Sequence, residues 1–318
     1  MAGWMTSSDD HLIRSNLWSN QLKEVFEDEL MGLQYVNMLT DFPDGNTLNI
    51  PSIGQAEVND YAENAAIQYH AMDTGNFTFT FNDYKSSGTY VTDKMKQDSM
   101  YMAQVQSTFV PKMQRAIMKS MELDLLAVGP NSQTASNTNT INGAYHRFVA
   151  GGTNETMSVK DFARAKYALQ KANVPMSNLV AIVDDSVDYH LSTLSNLVDV
   201  SNNPRWEGII TSGLTTGMKF TRNIYGFDVY VSHNLKRNTA SETIDSKTAA
   251  AGVNNLFFSA DSMATPFVGL VKQAPRVESS RNKDRQRDEY VVTARYGFAL
   301  YRPESLVTVL TDTDQVYA

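Results

Sequence analysis

Asp184, Asp185, Ser186, Asp188 and His190 form the one constellation in the chain whose residue types and spacing suggest a reaction. Three carboxylates and an imidazole within seven residues could hold a divalent metal and activate water, the chemistry of a metal-dependent hydrolase. They directly follow the apolar run Leu179 to Val183, and open α/β sheets place ligands beyond the carboxyl ends of such strands. The same residues also have a structural reading. Asp and Ser at the start of a helix accept hydrogen bonds from free backbone N–H groups and complement the helix dipole, without metal.

Other chemistry lacks its usual markers. His11, His70, His146, His190 and His233 are scattered, and none has a second histidine or a carboxylate at a zinc-binding helical spacing. There is no cysteine, which removes disulfides, thiolate catalysis and cysteine-held metal. No G-x-S-x-G elbow, P-loop or G-x-G-x-x-G occurs, so acyl transfer, nucleotide hydrolysis and dinucleotide binding are unsupported. The expectation is a protein without catalytic residues, cofactor or resident metal.

The elements that must position any site begin with Leu17 to Leu39, where Leu22, Val25, Phe26, Leu30, Leu33 and Val36 predict an amphipathic helix. Leu48 and Ile50, then Phe77, Phe79 and Phe81, switch to period two and predict two strands. Asp93 to Val128 reads as the longest helical segment, with a kink near Thr108 or two helices in series because Pro111 interrupts it. Gly129 and Pro130 should end it, and Asn131 to Gly143 reads as a polar loop. A capped helix is expected over Ser158 to Asn173, then a buried strand at Leu179 to Val183 and a helix from near Asp185. Gly213 to Phe220 is turn-rich, Tyr225 to Val231 and Asn255 to Phe258 read as strands, and the carboxyl end is mostly β. The fold class is α+β.

The chain has 318 residues and a formal charge of −8, with 27 Lys and Arg against 35 Asp and Glu. No apolar run approaches the roughly 18 residues that span a bilayer, and the amino end lacks a secretory pattern, so no membrane is expected and synthesis in a cytoplasm is. The excess charge has an address. Asp44, Glu57, Asp60, Glu63, Asp73 and Asp83 fall between residues 44 and 84, where no Lys or Arg occurs. A two-stranded ribbon is marginal alone, and Phe77, Phe79 and Phe81 on one face would be left wet in an isolated monomer. The arm is therefore expected to lie on another subunit, with its acids toward a basic surface. Arg276, Arg281, Arg285 and Arg287 are the candidate partners, in a segment whose mixed charges suit ion pairing better than a nucleic-acid groove. Trp18 is a further candidate contact.

Five segments in order, LWSNQLKEVFEDEL, GNTLNIPSIGQAEVNDY, FTFTFNDYKSSGTYVTD before a long helix, NIYGFDVYVSHNL and ARYGFALYRPESLVTVL, resemble tailed-bacteriophage major capsid proteins of the Hong Kong 97 type. The resemblance implies an amino-terminal arm (1–40), an extended loop (41–92), a peripheral domain with a spine helix (93–155), an axial domain (156–263) and return strands to the peripheral domain (264–318). It implies a virion subunit, assembled in a host cytoplasm, whose copies form the hexamers and pentamers of an icosahedral shell around packaged double-stranded DNA. The shell would touch DNA non-specifically and work with a portal, a separate scaffolding protein and a decoration or cement protein. Some members cross-link a loop lysine to a neighbouring asparagine, but no lysine lies between Asp44 and Tyr84, and Lys85 stands at the base of the loop. Two rival readings remain: an encapsulin-like compartment shell, and the hydrolase using Asp184, Asp185, Asp188 and His190.

Overall fold

A computed structural model describes residues 30–39, 47–54, 58–60, 63–64, 66, 69–72, 74–80, 83–98, 102–134, 136–193, 220–250 and 252–312. Trp18, Glu57, Phe81 and most of the expected first helix lie outside them. In chain order the elements are β1 (Asn37–Leu39), β2 (Thr47–Ile53), β3 (Thr74–Thr80), β4 (Asp83–Thr92), α1 (Asp93–Asp98), α2 (Met102–Ser132), β5 (Thr140–Ile141), β6 (Ala144–Tyr145) and β7 (Arg147–Val149). There follow α3 (Val159–Lys171), β8 (Leu179–Val183), α4 (Asp185–Thr193), β9 (Phe220–Ile224), β10 (Phe227–Val231), β11 (Glu242–Ile244), β12 (Lys247–Ala249), β13 (Gly252–Ser259), β14 (Phe267–Asn282), β15 (Arg287–Leu300) and β16 (Leu306–Asp312).

The first layer is a four-stranded sheet in the order β1-β14-β15-β4, with α2 across it. Met113, Ile117 and Met121 recur every fourth residue and so share one helical face; they meet Val292, Ala294 and Tyr296, which share one parity of β15. β4 pairs with β15 over ten positions, from Thr92 opposite Arg287 to Asp83 opposite Tyr296. The base of the loop is thus an edge strand of the main sheet.

Four sequence expectations change here. Residues 30–39 are not α-helical: Gly32–Tyr35 is a 3-10 turn, and β1 pairs parallel with β14. Tertiary contact overrides the local periodicity, because Gly32 sits on α2 with its N–H donating to the Glu122 carboxylate (3.3 Å), and the Tyr35 ring packs edge-on to Phe258 (5.5 Å between centroids). The long helix, Met102–Ser132, runs unbroken through Thr108 and Pro111. It also continues past Gly129 and Pro130 to Ser132, since a proline in the last turn removes only one bond and the Ser132 hydroxyl donates to the Val128 carbonyl (2.7 Å). The loop at 131–143 contains β5, which turns through Asn142 and Gly143, both at positive φ, to pair with β6.

The second layer is a six-stranded sheet in the order β7-β16-β13-β8-β10-β9. Strands β8, β13 and β16 are buried along their whole lengths, as expected of central strands covered on both faces. One face carries α3, where Phe162, Phe227 and Phe257 meet edge to face at 5.1–6.4 Å. The other face meets the end of α2 through Leu125 and Leu126 against Val180, Ile182, Leu256 and Phe258. The sheet draws on strands from before, within and after 156–263: β7 and β16 complete it, while β14 and β15 lie in the first layer. The physical reason is that β13, buried on both faces, needs a hydrogen-bonded neighbour on each side, and β16 supplies one of them.

Candidate inter-subunit surface

β2 and β3 form the expected ribbon, paired antiparallel from Thr47 opposite Thr80 to Ile53 opposite Thr74. Its root is not wet. Phe79 is 3% exposed and packs on Val268 and Leu270, and Phe77 meets Tyr301 edge-on at 5.2 Å. Phe79 is therefore covered by the chain's own β14, and Phe77 is partly covered by Tyr301 in the turn after β15. What stays exposed lies toward the tip: Ile53 (73%), Val58 (95%), Tyr69 (91%) and Met72. Asp60 and Glu63 are exposed among them. Sequence reasoning missed these apolar positions because they follow no period; the available signal was large apolar residues inside an otherwise polar stretch.

The arginines divide into two kinds. Arg281 Nη2 lies 2.7 Å from Asp93 Oδ2 and its Nη1 lies 3.3 Å from Asp288 Oδ1, while Lys96 on α1 pairs with both acids. The Arg281 hydrogen bond holds the Asp93 carboxyl below its ordinary range, and the Lys96 hydrogen bond does the same for Asp288. Arg287 lies over the Tyr90 ring at 4.4 Å and bonds Glu289 at 2.7 Å, which lowers that carboxyl too. Both arginines therefore have acid partners in their own subunit. Arg276 is mostly exposed, 3.6 Å from Glu278, and Arg285 sits in the turn joining β14 to β15, where its backbone N–H donates to Asn282 Oδ1.

At the loop's base, Lys85 Nζ approaches Asp124 Oδ2 at 3.4 Å, and the buried Tyr296 hydroxyl donates to the same oxygen at 2.6 Å. Burial, then this bond, raise the Tyr296 phenol above its ordinary value. The trio ties β4 to α2.

The acid cluster after β8 is a helix start. Asp184 Oδ2 accepts from the Ser186 N–H (3.2 Å) and hydroxyl (2.7 Å), and Asp184 Oδ1 accepts from Arg237 Nη2 (2.8 Å). Asp185 faces His233 Nδ1 at 2.5 Å. A guanidinium fills the place a cation would take at Asp184, and among the described residues no three acid or imidazole side chains converge as metal ligands. The arrangement can cap α4 and tie it to the 232–237 loop.

Residues 77–309 match the sequence pattern of a family described as phage capsid protein. Comparison with curated proteins gives no match. In solved structures the fold is similar to one from Mycobacterium phage Che8, at 19% identity over 94% of this chain and 97% of that one, with a TM-score of 0.67. It is similar also to the capsid of Cyanophage P-SCSP1u, at 15% identity over 94% and 93% with a TM-score of 0.70. The capsid of a native GTA particle matches at 10% identity over 96% and 97%, with a TM-score of 0.64. With a spine helix across one sheet, a second sheet at its end and an outlying ribbon, all within the matched span or beside it, the chain belongs to the phage capsid protein family and is a major capsid subunit of the Hong Kong 97 type.

Proposed function

We propose that copies of this chain assemble through hexamers and pentamers into a closed icosahedral shell around packaged double-stranded DNA. The observation that carries the reading is the ribbon tip, where Ile53, Val58, Tyr69 and Met72 expose apolar surface in the same stretch as the exposed Asp60 and Glu63. Large apolar side chains left exposed in one stretch of chain mark an interaction site. A contact of this tip with a different patch on the next subunit is heterologous, and heterologous contacts close into rings when the rotation allows. The acids give the contact its sign. With Arg281 and Arg287 matched internally, Arg276 and Arg285 are the members of the basic segment most open to a neighbour's loop.

The tip carries no lysine, so it supplies no amine to a lysine–asparagine cross-link, and Lys85 acts within its own subunit by fastening the loop to α2. Assembly in a host cytoplasm, with a separate scaffolding protein, a portal and a decoration protein, completes the proposal. The capsid family and capsid neighbours support this reading over an enzyme or an encapsulin-like compartment. Electron microscopy of the expressed chain, with and without its scaffold, tests it. Closed shells are expected, and their loss in Val58→Asp with Tyr69→Ser, in a chain that still folds, ties them to the tip. Discrete small oligomers under all conditions would reject it.

A further inference from the structure

The outer face of α3 carries a stripe of cations. Phe162, Ala165, Ala168 and Leu169 turn inward to the six-stranded sheet, so Lys160, Arg164, Tyr167 and Lys171, at spacings of four, three and four, line the opposite face. At 1.5 Å per residue the stripe is about 16 Å long. The helix's only acid, Asp161, is 3% exposed and turned inward, accepting from the Gly151 and Ser158 N–H groups. Arg164 lies over the Phe148 ring at 4.1 Å, and its one acid neighbour among the described residues, Asp245, is 3.8 Å away with both side chains open to solvent. Lys171 Nζ is 6.0 Å from the centre of the half-exposed Tyr167 ring, and Lys166 at the stripe's edge bonds the Tyr225 carbonyl at 2.8 Å. Lys160 and Lys171 have no acid partner among the described residues. Glu155, in the turn before the helix, is the other nearby carboxylate in sequence.

We propose that this stripe is a contact surface for the phosphate backbone of double-stranded DNA. Lys, Arg and Tyr are the side chains that reach phosphate oxygens, and they position without reading sequence. The face lacks the apolar anchors around which a protein interface closes, Tyr167 being its one large exposed ring. The chain's overall acidity does not oppose this. Six of the excess acids lie at 44–84, on a separate ribbon, and exposed charges more than about 8 Å apart are screened at physiological salt. A few phosphate contacts per subunit make a weak site, and repetition over a shell makes it count without fixing the DNA in place. The choice of DNA as the polyanion rests on the shell reading.

The test is anisotropy of a fluorescent 20-base-pair duplex with the purified full chain between about 50 and 200 mM salt, comparing wild type with Lys160→Gln/Lys171→Gln. Both side chains are exposed, and an unchanged thermal melt confirms the fold. The slope of log affinity against log salt is expected to shrink by about 1.8, two contacts at 0.9 each, for any duplex sequence. An unchanged slope overturns the proposal. So does a variant that keeps DNA binding but loses a poly-glutamate peptide, because the face would then serve an acidic protein. Shell formation, scored separately by microscopy, fails or succeeds independently of the slope.

Discussion

The six-stranded sheet and the β2–β3 ribbon are built from similar strand chemistry yet end in opposite states. In the sheet, β8, β13 and β16 are buried along their full lengths, with α3 on one face and the end of α2 on the other. In the ribbon, burial reaches Phe79 at the root and stops, leaving Ile53, Val58 and Tyr69 in water. A strand's sequence does not decide whether it is finished within its own chain; the number of elements stacked on it does. The sheet is a completed core, and the ribbon is the half of an interface that the proposed assembly would complete.

The contrast predicts that damage to the sheet unfolds the subunit, whereas damage to the ribbon spares the subunit and stops assembly. The largest effect is expected from Phe257→Ala, which removes the ring joining Phe162 and Phe227 and should cost about 3–5 kcal/mol in denaturant unfolding. Next comes Gly129→Ala. A Cβ there would meet Leu306 Cδ2 at 2.4 Å, and such overpacking between α2 and the sheet costs about 1–3 kcal/mol. Leu306→Ala in the same chain should relieve part of that cost if the clash is the cause.

Smaller in stability, and decisive for the comparison, is Val58→Asp with Tyr69→Ser. Subunit stability should stay within about 0.5 kcal/mol while shells disappear from micrographs. A large loss of subunit stability would mean that the ribbon is part of the core. Neutralising Asp60 and Glu63 together with Glu57 should change shell yield and its salt dependence; no change would discard the acidic contact.

The smallest effect concerns the cluster of Asp93, Lys96, Arg281 and Asp288, which joins α1 to the β14–β15 hairpin. Asp93 and Asp288 are held below their ordinary value of 3.8, so their contribution is present above that pH and is lost as pH falls through their lowered values. Protection of the α1 amides, the exchange rate taken against the intrinsic rate at each pH, should fall below about pH 3.8 and also in high salt, because the pairs are exposed and screened. Exchange insensitive to both would remove the cluster from the account.

Much of this was legible in the residues. The run Leu179 to Val183, the helix start at Asp185 and the Ser158–Asp161 cap stand where local pattern put them, since burial on both faces and backbone capping leave direct marks in sequence. The acids at 184 and 185 read as a helix start, and the Ser186 and Arg237 bonds agree. Less legible was everything decided by a distant partner. Leu33 and Val36 have helical spacing, yet the contacts of Gly32 with Glu122 and of Tyr35 with Phe258 hold that stretch in a turn and a strand. Phe77 and Phe79 look like an exposed face until Val268, Leu270 and Tyr301 arrive from far along the chain.

From the sequence alone came the α+β class, the ribbon, its concentration of acids and the absence of a lysine at its tip, because composition and alternation are properties of neighbouring residues. The tertiary structure decided which apolar residues the ribbon leaves over, which arginines are already matched, and that β7 and β16 complete the six-stranded sheet. Those depend on which surfaces meet, and contacts between segments far apart in the chain carry no local periodicity from which to read them.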